Sequence, residues 1–360
     1  MKRRNFISNI AGSSIAIGLI PGQLMCFNSC GENDTEPFFT RRGFTICIED
    51  LLTWDWVEKA REAGINTIAT HYDPDTIVEF IQSEKGKKFM EDCERYGIEV
   101  EHSLHAYSSL LPRYLFKTSP ELFRMDANGE RVGDYNFCVS NKQTLEIIAE
   151  NAVKYARLLP STSGRYFYTY DDAKLLCACP ECKGLSASEQ TLIVENAIIK
   201  ALRKEVNPNA LISHAAYVYT MQAPRKVKPE PGVFLEWAPI SRNHNQPLTN
   251  RVAFKASLGK EGEHGRLLDH LYENIEIFGN ENAQVFEYWF DSYRASGWKT
   301  KEENWVEAPW NPDVLWQDLE FYKRIGVSGI TSVTCWTNQE YVNKFGEPPI
   351  KEYGKILMSF

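Results

Sequence analysis

From residue 42 onward, short apolar runs alternate with amphipathic ones in a steady beat. The short runs are rich in β-branched and aromatic residues and are bounded by Gly, Pro, Asn or Asp, the mark of strands. They lie at Phe44–Glu49, Asn66–His71, Glu99–His105, Arg165–Asp171, Leu211–Val218, Val233–Pro239, Gln284–Phe290 and Gly329–Trp336. The runs between them repeat apolar residues at helical spacing. These are Trp54–Ala63, Thr76–Tyr96, Thr144–Leu159, Ser188–Val206, Arg266–Phe278 and Val314–Ile325, and each stops at a Gly or Pro signal. The fifth and sixth strands are joined by a short Pro-rich stretch, which predicts a reduced or missing helix.

Eight strands separated by helices predict a parallel sheet covered on both faces, and eight is the number that closes a (β/α)8 barrel. An open doubly wound sheet is the alternative. No Gly-x-Gly-x-x-Gly turn follows the first strand, and neither a Walker loop nor an internal repeat is present. The stretch from Ser108 to Asn141 is long for a strand-to-helix connection, which suggests a functional loop. The expected organisation is an export signal over 1–30, a tether over 31–42 and one barrel domain over 43–360.

The N-terminal expectation rests on charge and length. Lys2-Arg3-Arg4-Asn5-Phe6-Ile7 precedes an apolar stretch, Ile10 to Ile20, that is too short to span a bilayer comfortably. The Arg-Arg-x-Phe-Ile run resembles a twin-arginine export signal. Phe27-Asn-Ser-Cys30, with the acidic stretch after it, resembles the relaxed cleavage box of Bacteroidetes lipoproteins. Cys30 is therefore the expected lipidation site, with Cys26 a weaker acceptor. The expected location is the periplasm or outer-membrane surface, with the membrane reached only through the lipid. The net charge of -8 argues against nucleic acid as a partner.

A barrel collects its chemistry at the C-terminal ends of its strands. Here those ends are rich in His, Tyr, Trp and acids, whereas a single such Asp more often just caps a helix. Adjacent Asp171 and Asp172 close the fourth strand. Glycoside cleavage needs one acid to protonate the leaving oxygen and a second group to attack or to orient the attacker. Asp172 is the expected acid and Asp171 its helper, with Glu236 and Glu287 as reserve second carboxylates. His71, His105, Tyr217, Trp237, Asn243, Tyr288, Trp289, Asp291 and Trp336 are expected to bind sugar, because flat rings suit the apolar face of a pyranose. Arg242 suits a uronate carboxylate. Aromatics make up 12% of the chain, which is compatible with such a cleft or with ordinary packing. His102 and His105 lie three apart on a strand and should face opposite ways, which argues against a metal pair.

Cys177, Cys179 and Cys182 form a Cys-x-Cys-Pro-x-Cys run of the kind that turns thiolates toward one ion. Cys138 is the expected fourth ligand of a structural zinc, with disulfides or free thiols as alternatives. Cys47, Cys93 and Cys335 read as small buried apolar residues. No organic cofactor is expected.

With these residues in view, the chain resembles the bacterial DUF4838 family, which looks like a glycoside-hydrolase barrel related to the α-glucuronidases. The matching stretches are His105-Ala-Tyr-Ser-Ser-Leu-Leu-Pro112, Ser119-Pro-Glu-Leu-Phe123, Gly129-Glu-Arg131 and Phe137-Cys-Val-Ser-Asn141, then Asp172 with Cys177 to Cys182. They cover roughly residues 98 to 245. The position of the acid doublet also resembles hexosaminidase-type barrels, in which neighbouring acids after strand four orient the substrate and protonate the leaving group. The resemblance implies carbohydrate processing, with an oligo- or polysaccharide as partner and glycosidase activity as the expected function. A non-catalytic carbohydrate-binding lipoprotein and a metal-dependent barrel hydrolase are the alternatives.

Overall fold

The computed structural model describes residues 36–169, 175–255, 262–299 and 301–360. Pro37–Phe360 forms one compact unit. Its strands are β1 (Arg41–Cys47), β2 (Thr67–Tyr72), β3 (Glu99–His105), β4 (Arg165–Thr169), β5 (Leu211–Ala216), β6 (Val233–Trp237), β7 (Gln284–Glu287) and β8 (Gly329–Val333). They run parallel in chain order and close on themselves, with β1 paired to β2 on one side and to β8 on the other. The fold is a single (β/α)8 barrel, as the strand count predicts.

The helices cover its outside: α1 (Ile48–Thr53), α2 (Trp56–Glu62), α3 (Pro74–Gln82), α4 (Glu84–Tyr96), α5 (Tyr107–Leu110), α6 (Lys142–Leu158), α7 (Ala187–Glu205), α8 (His264–Phe278), α9 (Ser292–Ala295), α10 (Pro312–Arg324), α11 (Gln339–Phe345) and α12 (Ile350–Met358). Side-chain caps start many of them. Asp73 accepts the Thr76 N–H ahead of Pro74, and Ser186 with Glu189 forms a reciprocal capping box on α7. The single helix expected over Thr76–Tyr96 is two. Ser83 is extended, and its hydroxyl accepts the Gly86 N–H at 3.1 Å, so one residue ends α3 and starts α4. Only a turn over Val218–Thr220 separates β5 from the approach to β6, in line with the Pro-rich connection.

Two cores result. Outward strand residues meet the helices: Phe44 touches Trp56, Phe290 and Tyr353. Gly354 lets α12 pack this closely, because a Cβ there would sit 1.7 Å from the Ala63 carbonyl oxygen. Inward residues fill the barrel in layers. At its N-terminal end Arg41 pairs with Glu99 and Glu101, and Arg165 lies 4.4 Å over the Phe234 ring. No described helix is long and apolar enough to cross a membrane.

Candidate active site

The C-terminal end of the barrel is a different environment. His71, one residue before the end of β2, faces His105 at the end of β3, with their Nε2 atoms 3.2 Å apart. The other ring nitrogen of His71 lies 3.2 Å from Ser103 Oγ. Burial and the neighbouring imidazole push His71 down to about 3, so it is neutral at pH 7. His105 is exposed and forms the open part of the floor. Its strand-mate His102 faces the helices and bonds Thr70 at 2.8 Å, which is the opposite-face arrangement expected of them.

Tyr217 and Tyr288 complete the floor from β5 and β7. Tyr288 is buried, and its ring lies 5.4 Å from Phe286 and 6.0 Å from His244. Beside it Cys47 and Cys335 form a disulfide that joins the end of β1 to the segment after β8. The reading of these two cysteines as unpaired apolar residues is thereby corrected. Their partnership spans 288 residues, and spacing alone gives no sign of it. Cys93 is buried and unpaired, as expected.

Among the expected acids, Asp171 and Asp172 lie outside the described residues, as does Cys30. Asp291 follows β7 and is buried. Its carboxylate accepts the Arg294 N–H at 2.8 Å and starts α9, and burial raises it to about 6. Burial, and after it the charge of this carboxylate, raises the Tyr217 hydroxyl. Glu236 faces the barrel axis at the level of Gln284, deeper than Tyr288. Burial raises it to about 8, so it is largely protonated at neutral pH.

An aromatic platform lines the β7–β8 side. Trp336 stacks on Tyr293 at 4.8 Å and 14°, Trp305 leans on Trp336 at 4.8 Å, and Trp298 meets Tyr293 edge-on at 5.2 Å. Trp298 is 52% exposed, which leaves a ring face for a ligand. Trp336 adopts φ 66 and Trp298 φ 63, a left-handed backbone that costs energy for such bulky residues. The Asp50 carboxylate holds the first of these turns by accepting the Thr337 N–H at 3.0 Å.

Several of the expected catalytic and sugar-binding residues face elsewhere. Glu287 points outward and is fully buried, bonding Arg242 Nη1 at 2.7 Å and accepting the Tyr322 hydroxyl of α10 at 2.8 Å. It is therefore no cleft carboxylate. Arg242 is also fully buried, with Asp318 on its other arm at 2.6 Å, so it has no free edge for a uronate. Trp237 is the outward neighbour of Glu236 and is 1% exposed. Trp289 lies in the outer core against Tyr353 of α12. Asn243 ties its own loop, donating to Phe254 O at 3.3 Å and accepting the Asn245 N–H at 3.1 Å. Glu287 and Trp237 depart because successive strand residues face opposite sides, whereas Trp289 lies in the turn past β7, and Arg242 and Asn243 lie in the loop after β6.

Cys138, Cys177, Cys179 and Cys182 come together from two loops, and all four sulfurs lie within 4.8 Å of one another. All are buried and none forms a disulfide. The Met125 N–H points at Cys177 Sγ at 3.3 Å, and Cys138 and Cys179 sulfurs are 3.7 Å apart. Zinc–sulfur bonds of about 2.3 Å in a tetrahedron separate sulfurs by roughly this distance. The cluster can hold a metal ion.

Arg294, Lys255, Tyr293, Trp298 and Trp305 escaped the sequence reading. Tyr293 and Arg294 sit on the one-turn α9 and the others on irregular segments, where no periodicity points inward. The only available signal was the density of aromatics between Tyr288 and Trp310.

Residues 50–264 match the sequence profile of a family described as a domain of unknown function, DUF4838. No curated protein matches the chain. Among solved structures, a β-galactosidase from the psychrophilic Marinomonas ef1 is 12% identical with a TM-score of 0.52, over 89% of this chain and 59% of that one. A broad-specificity GH5-4 endoglucanase from an uncultured bacterium is 10% identical with a TM-score of 0.49, over 89% of this chain and 94% of that one. An O-GlcNAc hydrolase of Thermobaculum terrenum is 10% identical with a TM-score of 0.48, over 89% and 59%. The chain spans about three fifths of the length of the first and third of these proteins. The first likeness is one of fold, a (β/α)8 barrel.

Proposed function

The chain belongs to the DUF4838 family, and on that premise we propose that it is a glycoside hydrolase acting on a plant or host glycan. One observation supports the reading above others. The C-terminal mouth of the barrel sets an aromatic platform, Trp298–Tyr293–Trp336, beside a floor of His105, Tyr217 and Asp291, whose carboxyl burial raises to about 6. A pyranose has an apolar face to stack on such rings and hydroxyls to hydrogen-bond to such a floor.

In this proposal Asp172 protonates the leaving glycosidic oxygen and Asp171 orients the substrate. Asp291 takes the second carboxylate role that Glu287, facing outward, cannot fill. Raised only to about 6, Asp291 is largely ionised at neutral pH, as a nucleophile or base must be. The four-cysteine cluster holds zinc as a structural ion, fixing the loop that follows β4. That zinc would orient the loop and take no part in bond cleavage. The N-terminal segment exports the protein to the periplasm or the outer-membrane surface, with lipid on Cys30.

The test is turnover of a broad panel of glycans and aryl glycosides by the wild type and by Asp172→Asn. Cleavage by the wild type with a loss of 10²-fold or more in the variant (the usual order for general acid catalysis) supports the assignment. Equal cleavage by both moves the acid to another residue. No cleavage of any substrate, with a glycan still retained on an affinity gel, favours a carbohydrate-binding protein over an enzyme.

A further inference from the structure

The pairing of β1 with β8 runs from Arg41 opposite Gly329 to Thr45 opposite Val333. One further backbone bond, from the Thr334 N–H to the Thr45 carbonyl at 3.0 Å, carries the contact a step on. Cys47 and Cys335 each lie two residues beyond the last pair. There a disulfide takes the place of the ladder, with the Cα atoms 5.5 Å apart. Five residue pairs thus close the two strands before the bridge is reached, and the bridge stands on their cleft side. It packs against Tyr288 of the floor and against Tyr293 and Trp336 of the platform.

Cys335 is the common anchor of the two stacked rings. Trp336 follows it in the chain, and the Tyr293 N–H donates to its carbonyl at 3.4 Å. The left-handed backbone of Trp336, at φ 66, persists in a bulky residue only where the surroundings enforce it. The corner between β1 and α2 supplies those surroundings on both sides. Before Trp336, Cys335 is bonded to Cys47. After it, the Thr337 N–H donates to the Asp50 carboxylate at 3.0 Å, and the Thr337 carbonyl accepts the Trp56 indole N–H at 3.0 Å. Each of those hydrogen bonds contributes, net, about as much as the left-handed turn costs. The covalent link therefore decides how firmly the turn is held.

We propose that Cys47 and Cys335 are positioning residues of the sugar platform. Their disulfide fixes the Cys335 backbone to β1, and through it holds Trp336 and Tyr293 in the stacked orientation that receives a pyranose. Opening the bridge leaves the barrel closed and loosens the platform, so sugar affinity depends on the oxidation state of this one pair. The proposal rests on the carbohydrate reading above and deepens it, by naming what sets the stacking surface.

The first readout needs no sugar. Near-ultraviolet circular dichroism reports the stacked rings, and Trp336→Phe identifies the part of the spectrum that belongs to Trp336. The full-length chain carrying Cys47→Ala and Cys335→Ala is compared with the wild type at a temperature where the far-ultraviolet spectrum shows both folded. The Trp336 contribution is expected to collapse in the variant. The second readout is calorimetric titration with soluble oligosaccharides of glucose, xylose, galactose and N-acetylglucosamine. Those that the wild type binds should bind the variant about tenfold more weakly, the order expected for one well-placed ring contact. If the variant fails to fold, the wild type is reduced instead, with zinc present to keep the four-cysteine cluster loaded. A dithiol gives two electrons and two protons to the bridge, leaving two thiols and its own cyclic disulfide. Signal and affinity should then fall, and return on reoxidation with oxidised glutathione. A Trp336 signal or an affinity that stays constant when the bridge is absent overturns this inference alone. Binding of none of these oligosaccharides by the wild type overturns it together with the carbohydrate reading.

Discussion

Glu287 and Asp291 stand four residues apart at the end of one strand, yet they face different chemistry. Glu287 has an outward position and is locked between Arg242 and Tyr322, whereas Asp291 lies past the strand end, caps α9 and borders the cleft. Sequence marks both as acids at a strand end. It does not give the phase of a strand that is buried on both faces, because such strands read as unbroken apolar runs. Trp237 beside Glu236 and Trp289 beside Tyr288 show the same ambiguity. Where residues three apart on one strand are weighed by parity, as with His102 and His105, the facing is legible. Glu236 carries a prediction at this scale. Folded, it keeps its proton up to about pH 8, while an unfolded glutamate titrates near ~4.3. Between those values the folded chain binds the extra proton, so stability falls as pH rises from about 4 to 8. His71 runs the other way: folded near 3 and unfolded near ~6.5, it adds stability as pH rises through that interval. Glu236→Gln should therefore melt a few degrees above the wild type at pH 8, with a smaller difference at pH 5. Parallel melting profiles across pH 5–8 would show that Glu236 is not protonated inside the barrel.

At the scale of elements, the rhythm of strands and long helices was legible because eight runs with Gly and Pro stops leave little choice of architecture. The short pieces were not. α5, α9 and α11 span only one to two turns, too short for a period to show. The 106–141 connection is instead organised by cross-links. Isolated bridges pair Phe123 with Phe137 and Met125 with Arg131, and the Ala178 N–H bonds the Met125 carbonyl at 2.8 Å. Cys138 then joins this segment to Cys177, Cys179 and Cys182. Here the sequence spoke clearly, since three clustered cysteines and a distant fourth form a recognisable ligand set. The purified chain should carry one zinc ion, released when mercurial reagents titrate the thiols and counted with a colorimetric chelator. Without the ion, a protease should cut first within 106–141. Four thiols that alkylate freely in a metal-free, fully folded protein would rule the metal out.

For the whole molecule, the decisive contact is between its two ends. β1 pairs with β8, and the Cys47–Cys335 disulfide fastens the same seam beside the cleft floor. Neither cysteine has a local signature, so no reading of spacing could have joined them. In the chain-entropy view a cross-link over so long a loop stabilises by on the order of 3–5 kcal/mol. Replacing both cysteines by alanine should lower the thermal midpoint by several degrees, at about 2–4 °C per kcal/mol for a domain of this class. An unchanged midpoint would mean that strand pairing alone secures the seam. The disulfide has one more effect. It makes residues 47 to 335 a covalent macrocycle. A single backbone break in any loop of that macrocycle, including the long one after β3, leaves one molecule rather than two pieces. Outside a cell, where proteases abound and reductants are scarce, a barrel nicked in this way would stay assembled.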